Sequence, residues 1–203
     1  MVTMLATSLS FANDGTFLLR KKDEKTTAIT LVDVKKGNLL SIKDANGIVL
    51  FEESIKKNGI YNKGFDLSEL PNGQYLFELD KDAMIQMIPF EVLKNEVIFN
   101  EKEEKTLFKP FVKVNENMVF ISKLAINKEP LKIELYYEDK SSSVSEYSLL
   151  HSETISNTQK IERIYKLSAA KKGTYKLVFV SEGKEYIKYI NNWFFNVLFS
   201  LVG

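Results

Sequence analysis

The chain has 203 residues, 44% hydrophobic and 27% charged, with a formal net charge of +1, one histidine and no cysteine. Length and apolar share suit one large domain or two small ones and argue against wholesale disorder. The missing cysteine excludes disulfide staples, thiolate catalysis, iron–sulfur clusters and cysteine zinc sites. Charge is balanced in both halves, with 12 Lys/Arg against 13 Asp/Glu in residues 1–94 and 16 against 14 in residues 95–203, so neither half is a basic footprint for nucleic acid.

The first residues are uncharged until Asp14 and run through Ser10-Phe11-Ala12. Small residues at the first and third positions of that triplet suit a signal-peptidase cut after Ala12. Residues 1–12 are therefore expected to be the back half of a signal peptide whose basic start is missing, and the protein to be exported to the periplasm or cell surface.

From Gly15 the pattern is β throughout. Thr16–Leu19 is a short apolar strand, and Thr27–Val34 is rich in β-branched residues, with Ile29, Leu31 and Asp33 expected opposite Ala28, Val32 and Val34. Strands follow at Asn38–Lys43 and Ile48–Ile55, joined by Asp44-Ala45-Asn46-Gly47, where Asn-Gly between apolar runs is a strong hairpin signal. Ile60–Leu67, Gln74–Leu79 and Ala83–Glu91 bring the first unit to about seven short strands, the spacing of a sandwich. Residues 92–115 are the join, with Pro110 marking an edge position, and the boundary is expected between residues 94 and 95. The second unit repeats the order: Met118–Ile126, Pro130–Tyr137, Val144–Ile155, Lys160–Leu167, Thr174–Val180 and Lys184–Ile190. Leu67, Ser68, Gly73 and Tyr75 recur as Leu167, Ser168, Gly173 and Tyr175, one hundred positions on. Gly73 and Gly173 should supply turns that a side chain would hinder, and Tyr75 and Tyr175 the first inward ring of the next strand.

Little in the sequence carries chemistry. His151, the lone histidine, aligns with Phe51 and lacks a partner for acid–base work. Asp44-Ala45-Asn46-Gly47 opens like a calcium loop but has no closing Glu, and Glu78 with Asp80 and Asp82 is at most a weak cation cluster. Glu52 and Glu53 face opposite ways on one strand and cannot act as a pair. No phosphate loop or hydrolase motif is present. No catalytic residue, cofactor or metal ligand is expected. Two features remain. Tyr61, Tyr136, Tyr137, Tyr147, Tyr165, Tyr186 and Tyr189 could line a sheet face for sugars or peptides. The uncharged tail 191–203, with Trp193, Phe194, Phe195 and Phe199, could fold back, pair with another chain, touch a membrane or be a terminal scar. Its lack of basic residues disfavours the membrane.

The runs Leu39–Leu50 and Phe65–Leu79, with their Asp66-Leu67-Ser68 and Gly73-Gln74-Tyr75 cadence, resemble the C-terminal sorting domains of Bacteroidetes type IX secretion cargo. The resemblance is strongest over residues 34–79 and weaker over 131–180. It implies an immunoglobulin-like sandwich and an exported origin; the hundred residues that follow the better match keep it from implying a sorting activity. The expectation is an all-β protein of two tandem immunoglobulin-like sandwiches, residues 15–94 and 95–190, followed by the apolar tail. Its expected role is that of a non-catalytic structural or protein-interaction module, partnered by another envelope or secreted protein. The alternative is a carbohydrate or peptide binder.

Overall fold

The computed structural model describes residues 17–21, 26–100, 103–138, 146–168 and 173–191, and only the backbone of residues 19–21. The expected signal segment, the hairpin tip 139–145 and the tail beyond Asn191 lie outside them. Contacts divide the chain into two compact units, Met1–Thr106 and Leu107–Gly203.

The first unit is an antiparallel sandwich. One sheet has the order β1-β2-β5, formed by β1 (Phe17–Lys21), β2 (Thr26–Val34) and β5 (Gly59–Asp66). The other runs β4-β3-β6-β7-β8, formed by β3 (Leu39–Asp44), β4 (Val49–Ser54), β6 (Gly73–Asp80), β7 (Met84–Leu93) and β8 (Glu96–Phe99). Alternation puts Ile29, Leu31, Leu40, Ile42, Phe77, Leu79 and Ile88 into one core between the sheets. Phenylalanines dominate it: Phe65, Phe77, Phe90 and Phe99 touch in series with ring centroids 5.0–5.7 Å apart, a spacing that adds edge and offset attraction to area burial.

β9 (Lys105–Phe108) carries the chain across the division between the units. In the second unit, β10 (Phe111–Asn115), β11 (Met118–Leu124) and β14 (Lys160–Lys166) form the sheet β10-β11-β14. β12 (Leu131–Glu138), β13 (Tyr147–Ile155), β15 (Thr174–Ser181) and β16 (Lys184–Asn191) form the sheet β13-β12-β15-β16. The strand order of the first seven strands is thus repeated position for position. The core here is mostly aliphatic, with Ile121, Leu131, Ile133, Leu177 and Ile190 around Tyr137 and Tyr175.

Three local readings change. The division between units falls after Thr106 rather than at 94/95, because Lys94 and Asn95 both take positive φ, 50° and 66°. Two such residues make the two-residue turn whose twist suits a hairpin, so the chain turns back and lays β8 on β7 from Leu93↔Glu96 to Phe90↔Phe99. Val34 is buried on the side of Ile29 and Leu31, since the β2–β5 register shifts between Leu31 and Val34 and Asp33 sits at φ 53°. A bulge of this kind inserts one residue and flips the parity beyond it. The two marker glycines also differ. Gly73 does not take positive φ, and a Cβ there would meet only the Tyr75 ring at 3.8 Å, an ordinary contact. At Gly173 a Cβ would fall 2.8 Å from both the Glu138 carbonyl oxygen and the Tyr137 ring.

Tyr75 is buried, stacks on Phe90 at 5.4 Å and donates its hydroxyl hydrogen to the Pro71 carbonyl at 2.7 Å. A tyrosine at the start of a strand tied to backbone a few residues upstream is a corner device of such sandwiches. Asn72 beside it accepts from the Lys94 amide at 2.9 Å, fixing the β7–β8 turn. Tyr175 is buried too, against Tyr137 at 5.1 Å.

Candidate functional site

β4 and β5 end their respective sheets on one side of the first sandwich, as β13 and β14 do in the second. Each edge pair turns a carboxylate and a cation inward. In the first unit Lys63 Nζ and the Tyr61 hydroxyl, the latter at 3.2 Å, both donate to Glu53, and the ammonium lies 4.6 Å above the Phe51 ring. In the second, Arg163 Nε donates to Glu153 at 3.0 Å and the Tyr165 hydroxyl donates to the other carboxylate oxygen. Glu53/Glu153 and Lys63/Arg163 are one hundred positions apart; the tyrosine has changed ends, Tyr61 facing Ile161 and Phe65 facing Tyr165 in the repeat.

The Lys63 hydrogen bond holds the Glu53 carboxyl below its ordinary value, against the cost of burial. Burial acts against Glu153 most strongly, but the Tyr165 and Arg163 hydrogen bonds outweigh it and lower that carboxyl as well. Burial first, then the neighbouring carboxylate, pushes both tyrosine hydroxyls up. Carboxylates kept ionised and phenols kept protonated are poor proton-transfer groups at neutral pH. Inward charges on edge strands instead discourage pairing with other chains, and the cluster works as a clasp between the sheets. His151 flanks the second clasp, its ring 5.4 Å from that of Tyr165 and its Nε2 3.6 Å from Glu153.

The seven tyrosines do not share one face. Tyr137 is core, Tyr186 packs against the core, and Tyr61 and Tyr165 belong to the clasps. Only Tyr136, Tyr147 and Tyr189 gather on the outer face of β13-β12-β15-β16. The Lys176 ammonium lies 4.6 Å over the Tyr136 ring and 4.5 Å over the Tyr147 ring. Glu134 accepts from Tyr136 at 2.9 Å and from Lys132 at 2.7 Å, and Glu138 accepts from Tyr147 at 3.3 Å.

The outer face of β10-β11-β14 is different in kind. The register sets Lys113, Phe120 and Ile164 side by side, with Phe111, Ser122 and Glu162 in the next row. Phe111, Phe120 and Ile164 are 64%, 37% and 57% exposed, around an open hollow of about 500 Å³. A solvated sheet face normally alternates to polar residues. In the first unit the matching register positions are smaller: Ala28 and Gly64 stand where Phe120 and Ile164 stand, and in the next row Thr30 donates to Asn62 at 2.6 Å beside an exposed Leu18, which matches Phe111.

Asp44, Glu78 and Asp82 are occupied locally. Asp44 Oδ1 accepts from the Asn46 and Ile48 amides at 2.9 and 2.8 Å, which makes Asp44–Gly47 a hairpin tip. Glu78 accepts from Lys43 at 2.8 Å, and Asp82 faces Lys35 at 3.8 Å. Among the described residues no group of three His, Cys, Asp or Glu side chains is placed to hold a metal ion. Trp193, Phe194, Phe195 and Phe199 lie outside those residues. Sequence reasoning missed both the clasps and the apolar face. The clasps were traceable from the hundred-residue repeat of Glu53 and Lys63, but the face needed the strand register.

No family model matches the chain, and no curated protein matches it. Among solved structures it is similar to a biofilm associated protein BSP domain, with a TM-score of 0.27 and 10% identity, over 82% of this chain and 27% of that one. It is also similar to the human OSCAR ligand-binding domain, with a TM-score of 0.24 and 8% identity, over 87% and 97%. Likenesses this slight carry no argument; the architecture rests on the strand order.

Proposed function

We propose that the chain is an exported, non-catalytic protein-interaction module whose contact surface is the outer face of β10-β11-β14. One observation carries this reading: Phe120 and Ile164 are exposed at positions where the same frame, in the first unit, has Ala28 and Gly64. The sandwich does not need large apolar groups there, and a contiguous exposed apolar patch rimmed by charge is what a protein interface offers. Lys113 and Glu162 flank it on opposite edge strands, so the partner is a protein surface with an apolar centre and a complementary acid and base. Export is supported by the Ser10-Phe11-Ala12 triplet, and an envelope or secreted partner of Bacteroidetes type by the sorting-domain resemblance over residues 34–79.

The gathering of Tyr136, Tyr147 and Tyr189 favours a second reading, a carbohydrate or peptide site on the opposite sheet. The Lys176 ammonium occupies two of the ring faces on which a sugar would stack, so the apolar face is preferred. A photo-crosslinking residue in place of Phe111, used in the native envelope, tests the choice. The expected result is an adduct of defined mass that is lost in the Phe120→Ala/Ile164→Gly variant; an adduct of two chains identifies the partner as a second copy. An adduct indifferent to that variant, or glycan binding lost in Tyr189→Ala, overturns the reading.

A further inference from the structure

The first unit carries an apolar hollow of its own, on the outer face of β6-β7-β8. The register sets Leu76 beside Pro89 and, in the next row, Glu91 beside Ile98. Leu76, Pro89 and Ile98 floor an open hollow of about 580 Å³, with Asp44, Glu91 and Glu103 around it. Among the described residues no Lys or Arg lines it. Lys43, the base in the Leu76 row, is taken by Glu78 at 2.8 Å. The β10-β11-β14 face has the opposite sign. Its outward positions hold Lys113, Lys160 and Lys166 against Glu162 alone, and Lys160 already holds Glu162 at 2.8 Å. Each unit has one of these surfaces and lacks the other. Where the first has Lys43, Leu76 and Pro89, the second has Tyr136, Lys176 and Tyr189. There the chain's own Lys176 ammonium lies over the tyrosine rings.

We propose that the two surfaces bind each other between copies: the β10-β11-β14 face of one chain docks on the hollow of the next. Phe120 and Ile164 meet Leu76, Pro89 and Ile98, and Lys113 and Lys166 meet Glu91 and Glu103. The inference rests on the reading of that face as the contact surface and names its partner, a second copy of this chain. Charge decides between the two ways in which copies could meet. Two basic faces repel each other, whereas a basic face and an acidic hollow attract and are steered together. A contact between unlike surfaces is heterologous, so it propagates from copy to copy unless a ring closes. A face three strands wide, about 15 Å, is smaller than a standard interface, so the association is weak and shows only at high concentration.

Sedimentation of the full chain from about 10 μM to about 1 mM tests the pairing. The mean mass should rise with concentration and fall back with added salt. Lys113→Glu/Lys166→Glu and Glu91→Lys/Glu103→Lys should each weaken association at least ~10-fold. The chain carrying all four changes should return to within ~3-fold of the unaltered one, because its reversed surfaces are again complementary. All four side chains are exposed, and the rescue shows that the fold has survived. Association lost with the lysine reversals but indifferent to the glutamate reversals would mean that like faces meet, and would overturn the proposal. A chain that stays monomeric at about 1 mM, or one whose association ignores both reversals, overturns it too. The reading of the face itself is decided separately, by the crosslink from position 111: an adduct with a different protein, lost in Phe120→Ala/Ile164→Gly, keeps the surface and removes the second copy.

Discussion

The two units share a strand order and an edge clasp, yet differ in core and in surface. The first fills its core with touching phenylalanines and, on the outer face of its three-stranded sheet, has Ala28 and Gly64 where the second has Phe120 and Ile164, beside the Thr30–Asn62 pair and an exposed Leu18. The second uses aliphatic residues inside and places Phe111, Phe120 and Ile164 outside. What both keep is what the frame requires. What only one has must serve something the frame does not explain. The clasp falls in the first class and the apolar face in the second.

The marker glycines give the sharpest test of this comparison. Gly173→Ala should destabilise the second unit by about 1–3 kcal/mol, the usual cost of forcing atoms into a filled space, because Tyr137 and the Glu138 carbonyl already occupy it. Gly73→Ala should cost the first unit well under half as much. Equal losses in calorimetric stability would mean that the two corners are packed alike. Tyr75→Phe should follow at about 1 kcal/mol, the net worth of the hydrogen bond to Pro71; no change in denaturant midpoint would show that this bond does not hold the corner.

The clasps should act through pH. Glu53 and Glu153 bind a proton less readily folded than unfolded, so their contribution is complete above the unfolded glutamate value of about 4.3 and is lost as pH falls through the lower folded value. Both are partly solvated, which keeps each contribution to at most about 1 kcal/mol. Glu53→Gln and Glu153→Gln should each flatten the acid limb of the melting-temperature profile by a similar amount. A flattening in one unit only would break the equivalence of the clasps.

Much of the frame was legible in the sequence and little of its surface. β-Branched runs, Asn46-Gly47 and the Gly73/Tyr75 echo mark strands and repeat because local propensity and fold agree there. The boundary was obscured by Lys94-Asn95, which turn through two positive φ angles without a glycine. A period of two sets Val34 opposite Ile29 and Leu31, and the bulge at Asp33 breaks that period and brings it to their side. The tyrosines looked like one group because periodicity says which residues share a strand face, not which face is covered. Phe111, Phe120 and Ile164 come together only through the pairing of three strands distant in sequence.

The exposed pair on β11 and β14 bears most directly on the central claim. Phe120→Ala/Ile164→Gly exchanges the exposed pair for the first unit's residues, and its thermal unfolding can be compared with that of the unaltered chain. If the pair exists for contact, the second unit should lose about 0.5 kcal/mol for Phe120→Ala and about 1 kcal/mol for Ile164→Gly, the latter from the backbone freedom of a glycine in a strand, while the adduct formed from position 111 disappears. A loss of several kcal/mol with the adduct retained would show that Phe120 and Ile164 hold the sandwich together and that the contact surface lies elsewhere.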